Sequence, residues 1–177
     1  GAHTIAINLW LLAAFFIDGY GAAGNILGGK LLGQKSYDGL WKLAKRIALY
    51  GQGVGLVLIA IGVIFYKPLG MIFTADPLVL SAFYSVFFIV ILGMPINSVA
   101  FTLDGLFKGL GEMKYLRNVL LFATFLVFIP LLFCSQYFGW GLYGVWIAIT
   151  AWMAVRAGML VYKFRRKFRP LLQKSYL

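Results

Sequence analysis

The chain has one cysteine, Cys134, and one histidine, His3. A disulfide framework and a thiolate metal site are therefore excluded within it, as is most zinc and Ser-His chemistry. No glycine loop runs into a lysine to cradle phosphate, and no helix carries metal ligands at helical spacing. No catalytic constellation is legible, so the chain does not read as an enzyme, and no metal or organic cofactor is expected. Charge is scarce too: Asp, Glu, Lys and Arg make up 12% of 177 residues, about half the share of a soluble domain. The net charge of +11 does not point to nucleic acid, because the basic residues fall between apolar runs and do not share one face. The first residue is Gly, and no signal peptide precedes the first apolar run.

What remains is apolar. Hydrophobic residues make up 62% of the chain, and mean hydropathy is +0.90. About 20 apolar residues cross a bilayer as a helix. Five runs are long enough, at about 4–32, 46–66, 78–107, 116–137 and 141–163. Pro95 interrupts the third, and Pro130 lies within the fourth. Open strands cannot cross lipid, because their edge groups would go unpaired. The expected fold is an all-α polytopic membrane bundle of five transmembrane helices, one unit over 1–177, with a basic tail at 163–177. In the short link before the third run, Asp76 is placed to cap the helix that starts at Pro77.

Lys and Arg set the expected orientation. The first and third connections and the tail carry fourteen of them, from Lys30 to Lys174, while the second connection carries only Lys67. The tail and those two connections are expected to be cytoplasmic and the N-terminus outside, in a multi-pass protein of the cytoplasmic membrane. An outside N-terminus without a signal predicts at least one further helix upstream. The tail run "KFRRKFR" also suits anionic lipid headgroups.

The polar residues inside the apolar runs carry the functional expectations. Asp18, in "FFIDGYGAAGN", lies about 20 Å along the first helix. An intramembrane carboxylate faces a bundle interior, a partner or water. It is either a buried group paired with Arg156 or a neighbouring helix, or a transport site whose proton or cation occupancy changes. Gly19, Gly21 and Gly24 let a backbone or a bend approach it. Asn25 lies two turns further on, on roughly the same face. Asn97 follows Pro95, whose ring frees a carbonyl one turn earlier; such a pair can line a cavity or coordinate a cation. In "TLDGLFKGLGE", Asp104 echoes Asp18 and has Lys108 one turn away as a candidate partner. Gln52 reads as packing polarity. Small-xxx-small pairs such as Gly105 and Gly109 allow close helix approach.

Four stretches carry a resemblance. "AHTIAINLWLLAAFFIDGYGAAGNILGGKLLGQ" resembles the eighth helix of the multidrug and toxic compound extrusion (MATE) family. "FTADPLVL", "FTLDGLFKGLGEMKYLRN" and "GLYGVWIAITAWMAVRAGMLVYKFRRKFR" resemble, in order, a loop-and-helix start, the end of the tenth helix, and the last helix with its basic tail. The two Asp-Gly motifs favour the DinF-like branch. The resemblance implies helices eight to twelve of a twelve-helix transporter, most of its C-terminal lobe, with the N-terminal helices as partner. It implies H⁺- or Na⁺-coupled antiport that exports small organic, often cationic, compounds. It also implies that Asn25 stands where DinF-like relatives often carry Glu, and Asn97 at an acidic cation position of the NorM-like branch. Two rivals remain: a lipid-linked sugar flippase of the same superfamily, marked by membrane-embedded Arg and Lys, and a non-transporting scaffold, in which Asp18 would be fully paired.

Overall fold

In a computed structural model, residues 1–174 are described; 175–177, the end of the expected tail, lie outside the described residues. Seven α-helices follow in order: α1 Ala2–Gly33, α2 Tyr37–Phe73, α3 Pro77–Leu92, α4 Met94–Gly109, α5 Met113–Ala123, α6 Ile129–Tyr137 and α7 Gly141–Lys174. A single π-helical turn, Thr124–Phe128, joins α5 to α6. Four helical stretches are long and apolar enough to span a membrane: α1, α2, α5 through α6, and α7. The pair α3 and α4, bent by 53°, makes a fifth as one broken span. The protein is thus an all-helical, multi-pass membrane protein.

Three of the reversals close in one way. The residue just past the helix end takes a left-handed conformation: Lys35 (φ 54°), Gly111 (φ 72°) and Gly139 (φ 66°). The next N–H then reaches back five residues, Ser36 to Leu31, Glu112 to Phe107 and Trp140 to Ser135, at 2.9–3.0 Å. This satisfies carbonyls that a helix end leaves free and turns the chain within three residues. The second link, 74–76, works from the other side: Asp76 Oδ1 accepts the Leu78 N–H at 2.9 Å, and Pro77 opens α3, as expected.

The helix limits differ from the sequence reading at three places. α2 covers Tyr37–Phe73, not 46–66. Its polar start is amphipathic and buries Leu40, Ala44 and Ile47; its end runs through Pro68 because Phe65 relaxes to φ −107°, ψ 17° and absorbs the ring's clash. The run at 78–107 is two helices, broken at Gly93 and not at Pro95 itself, since the proline ring obstructs the carbonyl four residues back. Finally, α7 does not stop at 163 and yield to a tail. Phe164 and Phe168 are buried, Trp41 stacks on Phe164 at 5.4 Å, and Lys167 pairs with Glu112, so the basic segment packs as helix through Leu171, and the helix itself runs on to Lys174. In the fourth span the π turn lies just before Pro130, where a backbone bond must be lost.

Two main apolar clusters hold the bundle. One, at the end opposite the basic residues, joins α1 to α3 and includes Phe83, Phe87 and Trp146; the other, at the basic end, joins α2, α4 and α7 around Leu106, Phe107 and Leu160. Helix α4 lies at the centre, against α1, α2 and α7.

Candidate functional site

At the crossing of α1 and α4 the two backbones meet directly. A Cβ on Gly105 would overlap the Gly21 backbone, and one on Gly109 would overlap the Asn25 carbonyl. Gly24 meets Ile47 and Leu106. Backbones touch here because no side chain intervenes, which is how helices gain packing energy where lipid supplies no hydrophobic drive. Gly19 differs: a Cβ there meets nothing within 4 Å, so it is not one of the packing glycines.

Asp18 sits at the rim of this seam. A Cβ on Gly21 would lie 3.3 Å from its Oδ1 and 3.0 Å from the Phe101 carbonyl. The side chain is exposed and makes no hydrogen bond or ion pair with the described residues. The pairing with Arg156 does not occur. Thr4, Asn8 and Asn25 are exposed on the same helix. At 3.6 residues per turn, all four polar residues fall within an arc of about 100°. The same arc carries the exposed Leu11, Phe15 and Ile26, so this open face of a membrane-crossing helix is mixed, with polar groups spaced along an apolar surface. Thr4 and Asn8 escaped the sequence reading, although Thr4, close to four turns before Asp18, was a usable signal.

Arg156 belongs to a different constellation. It is 9% exposed, and its Nη2 lies 3.2 Å from Asp104 Oδ1, while Lys108 Nζ lies 3.2 Å from Asp104 Oδ2. The guanidinium lies over the Trp152 ring at 4.7 Å, and Nη1 faces Met153 Sδ at 3.5 Å. Trp152 Nε1 in turn donates to Thr124 Oγ1 in the π turn at 3.1 Å. Asp104 therefore ties α4 to α7, and Trp152 ties α7 to the fourth span. Lys108 was legible from spacing; Arg156 was not, because its partner is 52 residues away.

At the break between α3 and α4, the carbonyl that gathers donors is that of Pro95: Gln52 Nε2 reaches it at 2.7 Å and Ser98 Oγ at 2.9 Å. Gln52 thereby links α2 to the broken span. Asn97 is 3% exposed and its side chain has no hydrogen-bond partner among the described residues. The structure does not bring Asn97 and Asn25 into one cluster: Asn97 is buried on α4, and Asn25 offers α4 its backbone while its side chain faces out. Among the described residues no three His, Cys, Asp or Glu side chains gather as metal ligands.

The MatE family model matches residues 1–134, from α1 into α6. The chain belongs to the MatE family. Its similar relatives include three proteins of Arabidopsis thaliana. Protein DETOXIFICATION 44, chloroplastic, is 27% identical over 87% of this chain and 29% of its own length. Protein DETOXIFICATION 43 is 28% identical over 88% of this chain and 29% of its own. Protein DETOXIFICATION 42 is 29% identical over 89% and 30%. The chain thus spans about three tenths of the length of the curated relatives it matches. As a MatE chain it has an unpaired carboxylate on the open face of α1 and a fully partnered one, Asp104, inside the bundle.

Proposed function

We propose that these five spans form most of the C-terminal lobe of a secondary active exporter, and that the open face of α1 lines its path. The coupling ion is H⁺ or Na⁺, and the cargo is a small organic compound, often cationic. The basic end faces the cytoplasm and the first residue the outside, in a cytoplasmic membrane. The observation that carries this reading is Asp18, exposed and without a partner among the described residues, on the face of α1 that also bears Thr4, Asn8 and Asn25. An unpaired carboxylate at that depth is costly against lipid and suited to a water-filled cavity. Asp18 binds a proton or cation in one state of the cycle and releases it in the other, while the lobe rocks about the path. The names of the matched DETOXIFICATION proteins accord with export. The scaffold reading requires a fully paired Asp18, and the flippase reading requires free basic groups deep in the bundle, where Arg156 is instead held by Asp104.

The test is Asp18→Asn in the complete transporter, with ion-driven efflux of a cationic dye from membrane vesicles as the readout. Coupled efflux is expected to fall about 100-fold at equal expression, the lower range for loss of an essential proton-transfer group. Unchanged efflux at normal expression would sink the assignment.

A further inference from the structure

At the basic end a groove of about 900 Å³ opens between α7, α4 and α2. Its floor is apolar, formed by Ile96 and Val99 of α4 and by Ala154, Ala157, Gly158 and Val161 of α7. Its mouth carries Arg165, Arg166 and Arg169, all exposed. Along α7 it extends from Ala154 to Pro170, about 24 Å at 1.5 Å per residue. One leaflet of a bilayer, headgroups included, is about 20 Å thick. Apolar depth with cationic groups at one end is the complement of a single anionic amphiphile.

Charge accounting strengthens the match. Only five carboxylate side chains exist in the chain. At the basic end Asp38 is paired with Lys42, Asp104 with Lys108 and Arg156, and Glu112 with Lys167. None of the three groove arginines has a carboxylate partner among the described residues; Arg166 bonds only the Tyr162 hydroxyl, at 3.3 Å. Lys163 and Lys167 lie on the opposite side of the same helix, over the Tyr115 ring at 4.9 Å and against Glu112. The free positive charge of α7 is therefore concentrated on the groove side.

We infer that this groove is a binding site for one anionic phospholipid of the adjoining leaflet, with its phosphate on Arg165, Arg166 and Arg169 and an acyl chain along the floor past Gly158. The site is independent of Asp18 and of the transport reading. It requires that the chain resides in a membrane and that the groove stays open in the complete polypeptide.

Native mass spectrometry of the complete polypeptide in mild detergent, titrated with phosphatidylglycerol or phosphatidylcholine, tests it. Wild type is expected to retain phosphatidylglycerol in preference. Arg165→Gln with Arg166→Gln should weaken that retention about 30-fold, at roughly fivefold per basic residue. Lys163→Gln with Lys167→Gln removes the same charge from the other side and should change it by less than about threefold, since those two face internal partners already. Gly158→Leu tests the floor without touching charge. A Cβ there meets nothing within 4 Å, so the protein should accommodate the side chain and melt as wild type while losing lipid at least tenfold. Equal losses from the two charge pairs would reduce the effect to diffuse attraction and overturn the site. So would undiminished lipid on Gly158→Leu, or a wild type that holds inorganic phosphate as well as lipid. A wild type that retains no phosphatidylglycerol, because another part of the polypeptide fills the groove, would overturn it too.

Discussion

Replacing Gly105 by alanine adds one methyl group at the tightest point of the α1–α4 seam. That methyl would overlap the O, C and Cα atoms of Gly21, all backbone. No rotamer change can relieve a backbone clash, so α1 must move bodily. It is not free to do so locally, because one turn on Gly109 is lodged against the Asn25 carbonyl. Overpacking of this kind costs about 2–3 kcal/mol. For a unit of 150–250 residues each kcal/mol shifts the melting midpoint by about 2–4 °C, so a fall of roughly 4–12 °C is expected. The assay is thermal unfolding of the complete polypeptide in detergent, followed by tryptophan fluorescence. Gly19→Ala and Gly53→Ala are the controls, since a Cβ at either meets nothing within 4 Å. They should leave the midpoint unchanged or raise it slightly, because alanine favours helix over glycine by about 1 kcal/mol. Gly105→Ala melting with these controls would refute the close-packed seam.

Two further substitutions probe the bundle. Asp104→Asn should cost more than Arg156→Met, about 3 against about 1 kcal/mol, because the first leaves a guanidinium buried without a counter-charge while the second leaves Asp104 with Lys108; equal losses of thermal stability would contradict the assigned pairing. Lys35→Gly should stabilise by about 0.5–1 kcal/mol, since Lys35 holds φ 54° where glycine is unstrained; a lower melting midpoint would show that the lysine side chain matters more than the turn.

Much of the fold was legible because membrane spans are written in composition. The five runs, the broken third span and the cap at Asp76 all follow from apolar length and from the chemistry of proline and aspartate. The limits of α2 and α7 were less legible, because both extensions are amphipathic and polar on average. Leu40, Ala44, Phe164 and Phe168 earn their helix by packing on one another, which hydropathy alone does not register. At the candidate site, Lys108 was readable as a neighbour one turn from Asp104, whereas Arg156 came from a distant helix. Gly19 and Gly21 differ by only two residues, yet one faces open space and the other a backbone. The α4 register settles that, and the sequence of α1 does not contain it.

The two Asp-Gly stretches show how far a local motif can carry. Asp18 and Asp104 are each followed by glycine on an apolar helix, yet they end in opposite environments. Asp104 faces the side of α4 that α7 crosses, so Arg156 and Lys108 both reach it. Asp18 lies beside the seam, on the face of α1 that α4 leaves open. Because backbone is locked to backbone from Gly21 to Gly109, α1 cannot slide along α4 to find Asp18 a partner. Any change in the surroundings of that carboxylate has to come from an element that moves over the α1 face while α1 and α4 stay together. A transport cycle built on Asp18 therefore requires the lobe to rock as one body. In such a cycle Gly105→Ala should disturb stability and ion-coupled efflux together, and Asp18→Asn should abolish coupling while leaving the melting midpoint in place.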